Sequence, residues 1–135
     1  MVKGIGHVAV VTTDVDRAAA FYTEVLGFRE TGRLETSHSG TLIFVSLNGT
    51  QVELFGGGEP KDPRESEGRV GYKHIALLVD HVDAEYDRLK ALGVEFFIEP
   101  TDAESGLRLA FLRDPDGNPI ELLQLPEQRR EGQLG

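Results

Sequence analysis

The sequence of 135 residues predicts an α+β fold made of two tandem βαβββ modules. The first observation is the order of its segments, which runs strand, helix, strand, strand, strand and then starts again. A repeat of this length that occurs only twice is typical of a duplicated module and not of a solenoid. The second observation is that chemically similar residues stand at matching positions in the two copies. Together they predict a single domain that spans residues 1–135.

The first module is predicted to span residues 1–56. The apolar run Ile5–Val11 predicts a buried strand, and the apolar stripe of Val15–Leu26 predicts an amphipathic helix. We expect Thr13 to cap this helix, since Asp16 follows at the capping-box spacing, and we expect Gly27 to end it. Three strands follow, separated by the turn-forming pairs Ser39-Gly40 and Asn48-Gly49: Phe28–Thr36, Thr41–Leu47 and Thr50–Phe55.

The second module is predicted to span residues 72–126, after a flexible linker rich in Gly and Pro at 57–71 and before a polar tail at 127–135. It begins with the strand Tyr72–Val79 and the helix Val82–Leu92, which we expect Asp80 to cap. Asp114-Pro115-Asp116-Gly117-Asn118 predicts a tight turn. The last three strands are predicted at Val94–Glu99, Leu107–Arg113 and Pro119–Leu125.

The two copies agree residue by residue at the segments that carry histidine and glutamate. His7-Val8-Ala9-Val10 matches His74-Ile75-Ala76-Leu77, and Gln51-Val52-Glu53-Leu54 matches Pro119-Ile120-Glu121-Leu122. The histidine precedes the glutamate by 46 residues in the first copy and by 47 in the second. Because the spacing is nearly the same, we expect each pair to take the same place in its module.

Composition limits the classes of partner. The net charge is −9 and the basic residues form no cluster, which argues against nucleic acid and against an anionic membrane surface. The chain has no cysteine, so thiolate metal sites and thiol nucleophiles are excluded and any metal must bind nitrogen and oxygen. The N-terminus has no signal-peptide pattern, and no apolar stretch reaches the roughly 20 residues of a membrane span. These features predict a cytoplasmic protein.

Four polar residues in apolar strands predict a metal site. Because side chains alternate along a strand, we expect the helix of each module to cover the apolar face and to leave the His and Glu on the other face. A single such His or Glu is usually a hydrogen-bonded or solvated residue. Two carboxylates that meet in an apolar setting repel each other unless a cation or protons compensate, and two imidazoles complete an N₂O₂ set suited to Zn, Ni, Co, Mn or Fe(II). The predicted ligands are His7, Glu53, His74 and Glu121.

Two other histidines have simpler interpretations. His38 lies in a predicted turn and His81 at a predicted helix start, so we expect both at the surface. The three glycines at 56–58 lack the Lys-Ser/Thr and the helix that a phosphate-binding loop requires, which leaves the linker interpretation.

The sequence resembles the vicinal oxygen chelate superfamily, which includes glyoxalase I, methylmalonyl-CoA epimerase, extradiol dioxygenases and the fosfomycin and bleomycin resistance proteins. The resemblance covers roughly residues 5–125. It rests on these segments: His7-Val8-Ala9-Val10, Phe21-Tyr22-Thr23-Glu24-Val25-Leu26-Gly27-Phe28, His74-Ile75-Ala76-Leu77 and Asp114-Pro115-Asp116-Gly117-Asn118-Pro119-Ile120-Glu121-Leu122.

The resemblance implies mixed sheets that curl into a cup around one divalent metal ion (Zn, Ni, Co or Mn), usually within a homodimer. The His, Glu, His, Glu order is most similar to glyoxalase I, since extradiol dioxygenases lack the fourth ligand that Glu53 supplies. It implies a glyoxalase-like isomerase or lyase that acts on a small substrate with adjacent oxygens through an enediolate or enolate. Glu121 would be the general base and Glu53 its counterpart. Val11 stands where glyoxalase I carries an arginine for glutathione, which puts glutathione in question as the substrate.

Two alternatives stay open. A methylmalonyl-CoA epimerase would use the same enolate chemistry, and it would need a basic rim for the CoA phosphates; the candidates are Lys61, Arg64, Arg69 and Lys73. A non-catalytic protein that binds a drug-like or aromatic molecule is the other alternative. The complete set of four ligands favours an enzyme.

Overall fold

The computed structural model of the chain describes residues 1–38 and 40–127. The chain divides into two compact units, and the division falls between Asp62 and Pro63. We call the unit before this point the first module and the unit after it the second module. The division lies inside the segment 57–71 that the sequence predicts as a linker. Except for Glu127, the predicted polar tail 127–135 lies outside the described residues.

The first module has the predicted order of elements. They are β1 (Val8–Val11), α1 (Val15–Ala20) with a π-helical continuation (Phe21–Val25), β2 (Arg29–Thr36), β3 (Gly40–Leu47) and β4 (Thr50–Phe55). The strands form one open sheet in the order β1-β4-β3-β2. β1 is parallel to β4, while β3 is antiparallel to both of its neighbours. The sheet is therefore mixed, and β4 is one of its two central strands.

The second module repeats this topology. Its elements are β5 (Ile75–Leu78), α2 (Val82–Ala91), β6 (Phe96–Asp102), β7 (Arg108–Arg113) and β8 (Pro119–Gln124). The sheet order is β5-β8-β7-β6, again with the first strand parallel to the last and the other pairs antiparallel. Short 3₁₀ turns lie at Pro63–Ser66 and Glu104–Gly106. The predicted fold class, two tandem βαβββ modules with mixed sheets, is confirmed.

Each module buries one face of its sheet under its own helix. Alternate residues of the two central strands are fully or almost fully buried, since the strand period of two sends them all to one side. Burying one such Val, Leu or Ile side chain stabilises the fold by about 1.5–3 kcal/mol. These core residues are Ile43, Val45, Val52 and Leu54 with Ala18, Ala19 and Tyr22 in the first module, and Ala110, Leu112, Ile120 and Leu122 with Val82 and Leu89 in the second.

The first strand of each module starts later than the sequence predicts. β1 begins at Val8 instead of Ile5, which is 87% exposed, and β5 begins at Ile75 instead of Tyr72. The parallel pairing of β1 to β4 begins at the Val8–Val52 pair, and that of β5 to β8 begins at the equivalent Ile75–Ile120 pair. The apolar run in the sequence is therefore longer than the part of it that pairs with the neighbouring strand.

The predicted helix caps are wrong by one residue in both modules. Asp14, and not Thr13, caps α1, because its carboxylate accepts the Arg17 backbone N–H at 3.1 Å. His81, and not Asp80, holds the N-cap position of α2, and its side chain makes no capping bond. The Gln124 side-chain oxygen accepts the Val82 N–H at 2.9 Å instead.

The first helix also differs from the expected single helix over Val15–Leu26. From Phe21 onward it widens into a π-helix, in which the Leu26 N–H donates to the Phe21 carbonyl at 3.1 Å. It ends at Gly27, as predicted, and Gly27 has a positive φ of 86° that favours glycine.

The glycines after β4 are held against the first module. The Gly56 N–H donates to the Thr41 carbonyl at 3.0 Å and the Gly58 N–H to the Thr12 carbonyl at 2.9 Å. A Cβ atom on Gly58 would lie 2.4 Å from the Val11 side chain, so only glycine fits there. The start of the predicted flexible linker is thus packed and hydrogen-bonded. In the described residues, no helix has the length and apolar character that crossing a bilayer requires.

Candidate metal centre

In the first module, a histidine and a glutamate meet where β1 begins beside β4. His7 Nδ1 lies 2.9 Å from Glu53 Oε2. Glu53 stands in the middle of β4, opposite Ala9 on one side and Phe44 on the other. The Glu53 side chain is only 12% exposed, whereas the His7 side chain is 48% exposed. Gln51, two residues earlier on β4, donates its side-chain N–H to the same Glu53 oxygen at 3.4 Å.

The second module contains the same pair at the same place. His74 Nε2 lies 2.9 Å from Glu121 Oε1, and the Glu121 side chain is also 12% exposed. Glu121 is opposite Ala76 on β5 and Phe111 on β7. The His74 side chain is 23% exposed, and its ring packs edge-to-face on Phe111 with 5.0 Å between centroids.

The strand register explains why each histidine reaches its glutamate. Both histidines come one residue before the first paired residue of an edge strand, so they lie outside the strands in which the sequence predicts them. Both glutamates lie in a central strand, on the face opposite the apolar core residues that flank them. The sequence predicts that the helix leaves this face uncovered. The two carboxylates on it are nevertheless only 12% exposed.

The buried carboxylates need compensation for their lost hydration. A carboxylate that leaves water without hydrogen-bond donors costs several kcal/mol, by a rough general estimate. The imidazole N–H supplies one such donor in each module, through Nδ1 of His7 and through Nε2 of His74. The nitrogen that faces the carboxylate is Nδ1 in His7 and Nε2 in His74; in the other tautomer the same nitrogen carries its lone pair and could bind a cation.

Each pair also fits one half of a divalent cation site. Two donor atoms that bind one cation at about 2.1 Å, at right angles, lie about 3 Å apart. The 2.9 Å separation of nitrogen and oxygen in both modules matches that spacing. Imidazole nitrogen and carboxylate oxygen are ordinary ligands of Zn, Ni, Co and Mn.

The structure brings the four predicted ligands together as two pairs, His7 with Glu53 and His74 with Glu121. Within the described part of the chain, no three or more His, Asp or Glu side chains form a group that could hold a metal ion. That one cation takes all four ligands stays a prediction.

Three neighbours of the pairs are absent from the sequence prediction. Gln51 is two residues before Glu53 on β4 and shares its face of the sheet, so the strand period of two was a signal that could have found it. Phe111 and Arg113 lie on β7, and Phe111 reaches His74 only because of the pairing between β7 and β8. A single sequence does not give that pairing register.

The other candidates lie where the sequence places them. His38 and His81 are both exposed, as predicted. His38 stands at a cavity of about 390 Å³, whose other lining residues include Val11 and Phe55. The possible CoA-phosphate contacts are exposed as well; they are Lys61, Arg64, Arg69 and Lys73.

The predicted tight turn between β7 and β8 is confirmed. Asp114 is only 5% exposed, and its carboxylate accepts the backbone N–H groups of Asp116 and Asn118, each at 2.9 Å. The Asn118 side chain donates to the other carboxylate oxygen at 2.9 Å. These bonds fix the point from which β8 starts, at Pro119, two residues before Glu121.

Comparison with known proteins identifies the family. Residues 4–122 match the model of the glyoxalase/bleomycin resistance protein/dioxygenase superfamily. A probable lactoylglutathione lyase of Vibrio cholerae is 33% identical over 124 residues, which cover 87% of this chain and 88% of that protein. An ethylmalonyl-CoA/methylmalonyl-CoA epimerase of Cereibacter sphaeroides is 34% identical over 126 residues, which cover 87% and 93%.

A solved structure agrees with this family. The crystal structure of a glyoxalase family protein from Enterococcus faecalis is 25% identical and superposes with a TM-score of 0.79, covering 90% of this chain and 98% of that one. The superfamily match spans both modules, including both His–Glu pairs. The chain therefore belongs to the glyoxalase/bleomycin resistance protein/dioxygenase superfamily.

Proposed function

We propose that the protein is a metal-dependent isomerase or lyase that acts on a small substrate with two adjacent oxygens. One observation carries the proposal: the same imidazole–carboxylate pair, 2.9 Å apart and little exposed at the carboxylate, occurs at the same register in both modules. Members of the superfamily bind small molecules and commonly use a divalent metal. We propose one cation held by His7, Glu53, His74 and Glu121, whether one chain or two copies supply the four.

The four side chains would make two kinds of contribution to cation binding. His7 and His74 supply neutral nitrogen donors, while Glu53 and Glu121 supply the negative charge that balances a divalent cation. When bound, the cation supplies Lewis-acid stabilisation of the charge that develops on the substrate oxygens as an enediolate or enolate forms.

Glu121 is our candidate for the general base. Its polar contact is with His74, whereas Glu53 accepts a bond from Gln51 besides its contact with His7. Glu121 is therefore held by fewer donors than its counterpart, which favours it for removing a proton from carbon and returning it to a neighbouring atom. Glu53 would remain in position as a ligand and act on the other side of the substrate.

The local surface favours a substrate other than a glutathione adduct. Val11 is 61% exposed and lines the cavity near the C-terminal end of β1 together with Phe55 and glycine backbone. None of the lining residues is an Arg or Lys that would bind a glutathione carboxylate. The similarity to an epimerase, with the exposed basic residues of the 61–73 segment, makes a methylmalonyl-CoA-type substrate the second candidate.

Metal analysis separates an enzyme from a non-catalytic binding protein. We expect about one equivalent of divalent metal per four-ligand site, lost in Glu53→Ala and in His74→Ala and kept in the exposed control Glu24→Ala. Stoichiometric binding of an aromatic or drug-like molecule by metal-free protein, with no metal uptake, would contradict the proposal.

Activity assays then choose between the two enzyme candidates. The protein loaded with Zn, Ni, Co or Mn in turn would be given methylglyoxal plus glutathione, and separately methylmalonyl-CoA. Turnover of methylmalonyl-CoA alone favours the epimerase, and turnover of the glutathione adduct would contradict our argument from Val11. We also propose a cytoplasmic homodimer, which sizing of the purified protein tests in part.

A further inference from the structure

Arg113 lies on the same face of the second module as the His74–Glu121 pair. It is the last residue of β7, two positions after Phe111, and residues two apart point to the same side of a strand. Phe111 is directly opposite Glu121, and Arg113 is opposite Pro119. Arg113 and Glu121 are therefore diagonal neighbours, a relation that puts their backbones about 7–8 Å apart.

The guanidinium of Arg113 is held in a fixed orientation. Its Cζ atom lies 4.0 Å from the centroid of the Phe97 ring, and its Nη1 donates to the Gly117 carbonyl at 3.0 Å. Phe97 packs on Phe111 with 5.5 Å between ring centroids, and Phe111 packs on His74. A continuous stack therefore joins the guanidinium to the imidazole.

The charge of Arg113 is poorly balanced compared with the other paired arginines. Its side chain is 16% exposed, and its ion-pair partner Glu67 is 3.8 Å away, too far for a hydrogen bond. Arg33, Arg88 and Arg108 are 29–50% exposed, and each has a carboxylate oxygen at 2.7–2.8 Å. Among the described ion pairs, the least exposed arginine is thus the one without a close carboxylate. A cation that has lost water gains most from a further anionic partner.

We propose that Arg113 binds a carboxylate of the substrate, next to the adjacent oxygens that the metal would take. This inference rests on the proposed function and specifies its substrate class: a small hydroxy- or oxo-compound with a carboxylate on one arm. A planar guanidinium held by Phe97 and Gly117 is ready to donate to a carboxylate without losing further side-chain freedom.

At the strand position equivalent to Arg113, the first module has no cationic side chain. Phe44 is opposite Glu53 as Phe111 is opposite Glu121, and two residues after Phe44 stands Ser46. Arg29 is opposite Ser46 on β2, but it is exposed, so among the described residues only the second module places a little-exposed guanidinium beside its pair. It follows that the substrate is asymmetric and binds in one orientation.

A pair of chelating probes tests the subsite. Acetohydroxamate and succinic monohydroxamate both present two adjacent oxygens to a metal ion, and only the second adds a carboxylate arm. Their dissociation constants would be measured by calorimetry with protein loaded with whichever of Zn, Ni, Co and Mn binds most tightly. We expect succinic monohydroxamate to bind the wild-type protein about tenfold more tightly than it binds Arg113→Gln, since charge-assisted hydrogen bonds contribute at that level. Acetohydroxamate should bind both proteins equally.

Two further variants keep the test specific. Arg113→Lys keeps the charge but loses the planar fork, so it should retain only part of the preference. Arg88→Gln removes one positive charge from an exposed helix position of the same module and should leave the preference unchanged. Equal effects of Arg88→Gln and Arg113→Gln would overturn the subsite, because they would mean that only net charge matters.

The outcomes distinguish the subsite from the proposed function. If acetohydroxamate binds in a metal-dependent way but Arg113→Gln leaves the affinity of succinic monohydroxamate unchanged, the subsite is overturned and the metal site stands. If neither hydroxamate binds the metal-treated protein, the proposed function fails and the subsite fails with it.

Discussion

The two modules surround the same His–Glu contact with different neighbours. In the first, the glutamate is the better-held partner, since Gln51 donates to Glu53 while the His7 side chain stays 48% exposed. In the second, the histidine is the better-held partner, since Phe111 packs on His74. The distance between imidazole and carboxylate is 2.9 Å in both. Backbone register therefore preserves the pair, and the residues around it set which member is rigid.

The connections that lead into the two glutamate strands differ as well. A two-residue turn, Asn48-Gly49, joins β3 to β4, and both of its residues have positive φ. The five-residue turn built on Asp114 joins β7 to β8. The second module also carries Arg113 at this point, where the first has Ser46. On the proposed function, we infer that the first module mainly supplies metal ligands. The second module would also bind the substrate and move the proton.

The largest expected effect is on metal affinity, and it tests whether the modules contribute equally. A four-ligand site binds a cation such as zinc with about 10–16 kcal/mol, so one ligand contributes roughly 2.5–4 kcal/mol. We expect His7→Ala and His74→Ala each to weaken metal binding by about a hundredfold or more, measured by competition with a chelator.

The pattern of the two losses decides the comparison. Similar losses in His7→Ala and His74→Ala support one shared cation. A loss confined to one variant would mean that a single module holds the metal, which would contradict the four-ligand proposal. His81→Ala, at an exposed helix end, serves as the control and should bind metal normally.

The two turns predict the next largest effect, on stability. Asp114→Ala removes two backbone hydrogen bonds to a buried carboxylate, which costs about 3 kcal/mol or more in the free energy of unfolding. Gly49→Ala in the first module imposes a side chain at φ 83° and costs about 1–2 kcal/mol. Denaturant titration of both variants measures the difference, and a larger loss for Gly49→Ala would contradict this account of the turns.

The repeated features of the fold could be predicted from the sequence. The strand and helix order is local information, carried by apolar periodicity and by turn pairs such as Asn48-Gly49. The equivalent places of the two His–Glu pairs followed from the duplication, because similar spacings imply similar positions, but the contact within each pair did not. The exact starts of β1 and β5 did not follow, since they depend on where the partner strand begins to pair and not on the apolar run itself.

Contacts between residues far apart in sequence could not be predicted. The Gln124 side chain that caps α2 is 42 residues from Val82, and no local pattern marks it as a cap. The stack of Arg113, Phe97, Phe111 and His74 joins residues of two strands and the segment before a third. Phe97, Phe111 and Arg113 are ordinary strand residues in the sequence, and their contacts follow only from the register of β7 on β6 and β8.

The aromatic contact to His74 predicts a smaller difference between the modules. Phe111→Leu removes the ring that orients His74, and losing a residue that orients a metal ligand typically weakens metal binding about tenfold or more. Phe44→Leu is the matched change at the equivalent position, and the described ring contacts do not include Phe44 with His7. We therefore expect Phe44→Leu to change metal affinity less than Phe111→Leu, measured by the same chelator competition. Equal effects would mean that the ring does not orient His74.

The smallest expected effect concerns the ion pair between α2 and β7, and it depends on pH. Arg108 donates to the Asp83 carboxylate at 2.7 and 2.9 Å, and this hydrogen bonding lowers the pKa of Asp83 below its ordinary value. A group whose pKa is lower in the folded state stabilises the fold above its unfolded-state pKa, and this contribution is lost as the pH falls through the folded-state pKa. Because the pair is exposed, we expect Asp83→Asn to cost only about 0.2–1 kcal/mol at neutral pH.

That cost should vanish in acid, because protonated Asp83 of the wild type is then as uncharged as the asparagine of the variant. Asp16→Asn is the matched variant in the first module, since Asp16 accepts from Arg33 at the same helix position. Unfolding curves of both variants and the wild type, from neutral pH down to about pH 2, measure the free-energy cost of each substitution as a function of pH. Added salt should reduce it, because exposed charges are screened. A cost for Asp83→Asn that stays constant across this range would mean that Asp83 acts through packing of its side chain and not through its charge.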